Sequence, residues 1–321
     1  MNKHRFFLVC LSMLAMLANS PAQPTDTTAI STGQDTSRLD DALLWRISRP
    51  DLPKESYLFG TIHIMDADLY FLPAGTEQAM ALAGRLVFEI DMADMMDFGA
   101  QLAVLTKAFM KDGTRISDLV SPEDYQLIEQ HFAGMGLPML LLDRVKPMFL
   151  AMFASPDLDP GGLSSGQMKS YEMEFFDYAQ EHNKPTGGLE TLEFQLSIFD
   201  SIPVQAQAEM LVASIQAAGS DTADFQDMMD LYLHQDIEAL YQVIGDDETG
   251  AGDFEDILVK NRNAKWIGGI EQYMREGPVF FAVGAGHLGG PHGVIRLLKA
   301  SGFTVLPVLQ MEDAVRDIRK F

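Results

Sequence analysis

Apolar residues along this chain keep two different periods. Towards its two ends they come as short continuous runs bounded by Pro, Gly, Lys or Asp: Leu43–Ile47, Ser56–Ile62, Leu86–Asp91, Pro278–Val283 and Phe303–Leu309. Runs of that length between turn residues predict strands. From residue 95 to residue 276 the apolar positions instead recur about every 3.6 residues, the helical period. Helices are predicted there over Phe98–Met110, from Ser121 and Pro122 onward, and over Met168–His182, Thr191–Phe199, Pro203–Ala218, Asp221–His234 and Asn261–Arg275. Ser121 and Thr191 suit helix starts, because a side-chain oxygen can accept from an unpaired N–H of the first turn. Gly187–Glu190 reads as a short strand or a turn. Two further helices, Thr76–Ala83 and Pro291–Ser301, lie between the terminal strands.

The expected fold class is therefore α/β. Two small βαβ-like units share a central mixed sheet, and a large helical insert, about 95–276, lies between them. The insert is rich in methionine, at spacings that suit core filling. A stretch at Asp246–Asp256, Asp-Asp-Glu-Thr-Gly-Ala-Gly-Asp-Phe-Glu-Asp, is acidic but lacks the ligand spacing of a calcium loop and reads as solvated.

The first residues change this picture in one respect. Lys3, His4 and Arg5 precede an apolar stretch from Phe6 to Leu17, and small residues Ser20 and Ala22 stand before Gln23. This is the pattern of a secretory signal peptide over 1–22, followed by a flexible Thr/Ser/Asp/Gln-rich leader over 23–40 and a domain over 41–321. Export to the periplasm or beyond the cell is expected, with no membrane anchor in the mature chain. Cys10 is the only cysteine, so disulfides, thiolate metal sites and thiol nucleophiles are excluded from the mature domain. Losing Lys3 and Arg5 takes the formal net charge from −23 to −25. That charge argues against a nucleic-acid partner.

Candidate chemistry lies at strand ends. Gly60-Thr61-Ile62-His63 closes one predicted strand and Gly284-Ala285-Gly286-His287 another. Glu89 falls near the end of a third, between Phe88 and Ile90. In open α/β sheets functional groups gather at the carboxyl ends of strands. Two imidazoles and one carboxylate can hold a divalent metal and leave positions open for water and substrate. His63, Glu89 and His287 are thus the expected metal ligands. His292 follows close behind and reads as a helix-start or surface residue. No H-E-x-x-H run, G-x-S-x-G elbow or phosphate loop occurs.

Tyr57-Leu58-Phe59-Gly60-Thr61-Ile62-His63, Leu72-Pro73 and Phe88-Glu89-Ile90-Asp91 together resemble the opening of the TraB/GumN family, which is related to the Tiki metalloproteases. Asn183-Lys184-Pro185, Gly188-Leu189-Glu190-Thr191-Leu192-Glu193-Phe194-Gln195, Phe199–Pro203, Arg262-Asn263, Val283–Leu288 and Gly302–Val305 continue the resemblance in order. It covers about residues 40–310. It implies a metal-dependent hydrolase, most naturally a peptidase acting on a peptide or protein substrate. The Tiki pattern of two GxxH motifs and a glutamate corresponds to His63, His287 and Glu89. The implied ion is Mn²⁺ or Co²⁺, while the residue types themselves equally allow Zn²⁺. Glu190 and Arg262 match further family positions. Glu190 is then a proton-handling base or a helix-start carboxylate, and Arg262 an oxyanion stabiliser or an ion-pair arginine. The rival expectation is a non-catalytic haem-, iron- or peptide-binding protein of the related ChaN-like fold, with Tyr70 or Tyr171 as axial ligand.

Overall fold

The computed structural model describes residues 37–309 except 96, 98, 100–103, 105, 155–164, 220–222 and 246–253. The segment predicted as a signal peptide, most of the predicted leader, much of the predicted Phe98–Met110 helix and most of the acidic stretch lie outside the described residues.

Among the described residues eight strands form two sheets. The central sheet has six strands in the order β6-β4-β7-β2-β1-β8. These are β1 (Leu44–Ser48), β2 (Ser56–Thr61), β4 (Arg85–Ile90), β6 (Thr186–Glu190), β7 (Val279–Gly284) and β8 (Thr304–Pro307). Neighbours β6, β4, β7 and β2 run parallel, and β1 is antiparallel to both β2 and β8. The sheet is therefore mixed, as the sequence predicts. The strand from the C-terminal unit, β7, inserts between β2 and β4 of the N-terminal unit. This direct pairing brings the two GxxH segments side by side.

Every residue of β2 and β7 is buried. That is the expected pattern for parallel strands covered on both faces. The rings of Phe59 and Phe280 pack on Phe175 at 5.1 and 5.3 Å, so the helix Tyr171–Glu181 covers one face. Phe281 points to the opposite side and meets Tyr273 of the helix Asn261–Glu276 at 6.4 Å. Each fully buried phenylalanine stabilises by roughly 1.5–3 kcal/mol relative to exposure. A satellite core, including Ile116, Ile128, Phe132, Leu211 and Ile215, holds the helical insert together.

Several local expectations are refined. Gly187–Glu190 belongs to a strand, β6, which pairs Ile90 with Glu190 at the edge of the main sheet. The helix predicted from Met168 starts at Tyr171, because Met168–Lys169 (β5) pairs with Met65–Asp66 (β3) as a small second sheet. The helix predicted from Pro291 starts at Val294. Phe109 lies outside any helix and bridges to Val145. Residues 37–40, assigned by sequence to the leader, sit against the domain: Leu39 is buried and Arg38 pairs with Asp236 at 2.8 Å. Ser121 and Thr191 cap as expected, accepting from the N–H groups of Asp124 and Phe194, both at 3.1 Å.

Candidate active site

Parallel pairing places Thr61 opposite Gly284, so β2 and β7 end at the same level. His63 leaves the end of β2 and His287 sits in the 3₁₀ turn Ala285–His287 after β7. Glu89 and Glu190 come from the carboxyl ends of β4 and β6. A π-turn over Asp256–Lys260 runs directly into the helix Asn261–Glu276 and sets Arg262 and Asn263 over these strand ends. His63, Glu89, His287, Arg262 and Asn263 are all buried.

Gly284 marks the point of convergence. A Cβ built on it would lie 3.3 Å from Glu89 Oε1, 3.7 Å from His287 Cδ2 and 3.8 Å from His63 Nε2. The three residues expected to bind a metal thus surround one glycine. Glu89 Oε1 also accepts from the Gly284 N–H at 2.9 Å.

Each imidazole is held through Nδ1. His287 Nδ1 faces Asn263 Oδ1 at 2.6 Å. The Asn263 amide is oriented by its Nδ2, which donates to the carbonyls of His292 at 2.9 Å and His287 at 3.3 Å. Asn263 Oδ1 must therefore accept, His287 carries its proton on Nδ1, and its Nε2 is left with a lone pair. His63 Nδ1 donates to Glu172 Oε1 at 2.9 Å. His63 Nε2 is buried and has no hydrogen-bond partner. It lines a cavity of about 20 Å³ with Glu89, Glu172 and Gln195, enough room for one water-sized occupant. Gln195 Oε1, in the same lining, is likewise buried and unpartnered.

Arg262 binds the carboxylates together. Its Nη2 donates to Glu89 Oε2 at 2.6 Å and to Glu190 Oε1 at 2.5 Å, and its Nε donates to Glu190 at 3.1 Å. Its Nη1 donates to Leu258 O at 3.0 Å and to His287 Nε2 at 3.3 Å. All five guanidinium N–H groups are thus engaged. Trp266 lies beneath, donating from Nε1 to Glu190 Oε2 at 3.1 Å, with its ring 4.5 Å from that of His287.

The electrostatics follow from burial and this one internal cation. Burial alone would raise the Glu89 carboxyl, but Arg262, the two histidines and the Gly284 N–H bring it down to about 2. Burial raises Glu190 despite its pairing with Arg262. Burial and the neighbouring positive charge lower His287 to about 3, so its imidazole is neutral. Burial would lower His63 as well, but the charge and hydrogen bond of Glu172 raise it. Two adjacent carboxylates are driven in opposite directions, a condition for separate acid and base roles.

Among the described residues no three His, Cys, Asp or Glu side chains form a ready metal-holding cluster. Arg262 supplies the positive charge between Glu89, Glu190 and His287. Tyr171, named above as an axial haem ligand, is buried and donates its hydroxyl to Phe71 O at 2.5 Å. Tyr70 packs its ring on Tyr171 at 4.7 Å and under the ammonium of Lys169 at 4.5 Å. Neither lines the cavity beside His63. His292 contributes its backbone carbonyl, which tethers Asn263. The sequence does not single out Glu172, and it shows Asn263 and Gln195 only as members of the resembling motifs, with no role of their own.

A family model described as the TraB/PrgY/gumN family matches residues 43–307. Among characterised proteins, the zebrafish metalloprotease TIKI1 is 22% identical over 94% of this chain and 69% of its own length. Zebrafish metalloprotease TIKI2 is 22% identical over 83% of this chain and 60% of its own. Human metalloprotease TIKI1 is 22% identical over 83% of this chain and 61% of its own. No solved structure matches the chain. Among the described residues no helix is long and apolar enough to cross a membrane.

Proposed function

Since the chain belongs to the TraB/PrgY/gumN family, we propose that it is an exported hydrolase that uses a divalent metal ion and cleaves peptide bonds. The observation that carries this reading is the convergence of His63, Glu89 and His287 on Gly284. Relatives bearing the name metalloprotease support it.

The residues fit a metal in their donor chemistry. Both imidazoles are tied through Nδ1, the arrangement in which Nε2 is left to bind an ion. His63 Nε2 is buried without a hydrogen-bond partner, in a cavity that Glu89 also lines, and in the neutral Nδ1–H ring it carries the lone pair. His63, Glu89 and His287 would hold the ion, Mn²⁺, Co²⁺ or Zn²⁺, with the Arg262 Nη1 contact to His287 released. When bound, such an ion lowers the pKa of water and polarises a carbonyl.

The chain's own groups divide the remaining work. Burial raises the Glu190 carboxyl above its ordinary value against the opposing charge of Arg262, so of the two carboxylates it is the one suited to take up and return a proton. Glu89 stays ionised. Arg262 and Trp266 hold Glu190 in place, and Arg262 limits the repulsion between the two carboxylates. Sheet ends packed under helices on both faces keep bulk water from these groups.

The test is metal analysis of the purified protein together with hydrolysis of a mixed peptide library. Peptidase activity lost on chelation and restored by Mn²⁺, Co²⁺ or Zn²⁺, and absent from folded His63→Ala and His287→Ala variants, is the expected result. Full activity of chelator-treated His63→Ala protein overturns the reading.

A further inference from the structure

The buried carboxylate that ties His63 has been given no role of its own above. Glu172 is the second residue of the helix Tyr171–Glu181 and is 7% exposed. It accepts three hydrogen bonds: from Thr61 Oγ1 at 2.6 Å and His63 Nδ1 at 2.9 Å on Oε1, and from Ser170 Oγ at 3.1 Å on Oε2. Among the described residues no lysine or arginine pairs with it, and its one ion-pair partner is His63. A carboxylate removed from water without an arginine or lysine is costly. A glutamate serving only the helix dipole would lie in solvent at the first turn. This one turns inward to the histidine.

The geometry has a definite consequence for His63. An ionised carboxylate only accepts, so the hydrogen bond at 2.9 Å requires the proton of neutral His63 to lie on Nδ1. Nε2 then carries the lone pair, and it is Nε2 that comes within 3.8 Å of the convergence point at Gly284. Thr61, from the same Gly-Thr-Ile-His segment as His63, adds a second tie to the same oxygen and fixes the carboxylate against rotation. Both the tautomer and the ring direction of His63 are thereby set from outside the ligand group.

We propose that Glu172 is the positioning residue of this site: it holds His63 as the Nδ1–H tautomer and aims Nε2 at the point where Glu89 and His287 meet. The consequence for metal affinity rests on the function proposed above, whereas the tautomer does not.

The experiment is nitrogen-15 NMR of the histidine side chains in metal-free protein, at a pH where His63 is neutral. It is paired with calorimetric titration of Co²⁺ into wild type, Glu172→Gln and Glu172→Leu. Wild type is expected to show His63 protonated at Nδ1. Glu172→Gln retains an acceptor oxygen and should keep that tautomer. Glu172→Leu should move the proton to Nε2 and weaken Co²⁺ binding by about 10–100-fold. An Nε2–H tautomer in the wild type overturns the proposal, as does a Glu172→Leu protein with unchanged tautomer and Co²⁺ affinity. If Glu172→Leu does not fold, the wild-type and Glu172→Gln spectra decide. An Nδ1–H tautomer in a wild type that binds no Co²⁺ supports the role of Glu172 and counts against the metal reading alone.

Discussion

Thr61 and Gly284 stand opposite each other in the parallel pairing of β2 and β7. Each begins the short path to one histidine of the site. Gly284 has φ −53° and ψ 135°, which any L-residue adopts, so backbone freedom does not explain the glycine. Space does, since an added Cβ enters the gap between Glu89, His287 and His63. Gly284→Ala is therefore expected to fold with a loss of under about 1 kcal/mol in denaturant unfolding, yet to bind Co²⁺ at least about tenfold more weakly. Gly60→Ala should behave the other way. Its Cβ would come 2.6 Å from Leu288 Cδ1 and 3.1 Å from Ala285 Cα, a packing clash away from the metal-facing atoms. A stability loss of about 1–3 kcal/mol is expected there. If Gly284→Ala binds Co²⁺ like wild type, the three side chains do not share a ligand.

Arg262 is the single cation between two buried carboxylates, and it is itself 3% exposed. Removing it leaves Glu89 and Glu190 uncompensated, so Arg262→Ala should cost about 3–5 kcal/mol. Arg262→Lys should recover little of this, because a lysine has three donors on one atom and no planar fork. It cannot reach Glu89, Glu190, Leu258 O and His287 together. The check is the urea midpoint of both variants. Arg262→Lys with wild-type stability would show that charge alone, and not the fork, holds the site.

Much of this arrangement is visible in the sequence. Strands buried on both faces betray themselves as unbroken apolar runs, so β2 and β7 and the histidines at their ends are found directly. A carboxylate inside the apolar run of β4 singles out Glu89, and the resemblance across the chain adds Glu190 and Arg262. What stayed hidden are polar residues in core positions of amphipathic helices. In the helix Asn261–Glu276 the buried stripe is Arg262, Asn263, Trp266, Ile270 and Met274. In the helix Tyr171–Glu181 it includes Glu172, Phe175 and Ala179. A charged or amide side chain in register with Phe, Trp and Ile must find a partner, and that register is the signal that would have found Glu172 and Asn263. β6 was ambiguous because Gly187-Gly188 carries no apolar alternation; it is a strand only because β4 offers it an edge. Strand order could not be read at all, since the placing of β7 between β2 and β4 depends on contacts between residues far apart in sequence.

Asn263 should matter through His287. Its Oδ1 takes the Nδ1 proton of His287 and its Nδ2 ties two backbone carbonyls. Asn263→Leu removes these bonds and leaves buried donors and acceptors unpaired, costing about 1–3 kcal/mol for each unsatisfied group. Asn263→Asp keeps the acceptor and loses the donor, and it places a new carboxylate beside a neutral imidazole. It is therefore expected to raise the His287 pKa from about 3. Nitrogen-15 NMR of the His287 ring across an acid titration reads this shift. An unmoved titration in Asn263→Asp would mean that the two side chains are not coupled.

Trp266 offers a reporter for the whole group. The chain has two tryptophans, and Trp45 lies in β1 with its Nε1–H on Ala42 O at 2.8 Å. Trp266 instead touches the site on three sides: its ring lies 4.5 Å from His287 and 5.0 Å from the Arg262 guanidinium, and its N–H is held by Glu190. Loading an ion on His287 withdraws the neighbouring lone pair and loosens the Arg262 contact, so it must alter the surroundings of this indole. A Trp45→Phe protein, whose emission then comes from Trp266 alone, should change its fluorescence on adding Mn²⁺ or Co²⁺, saturably and at the midpoint found by calorimetry. The same protein carrying His287→Ala should show no saturable change. Bound ions also stabilise the state that binds them, by about 2.7 kcal/mol at a hundredfold excess over Kd. The fluorescence midpoint and a rise in unfolding temperature should therefore appear together or not at all. A rise in unfolding temperature without a response from Trp266 would place the ion elsewhere on this acidic chain, away from His287.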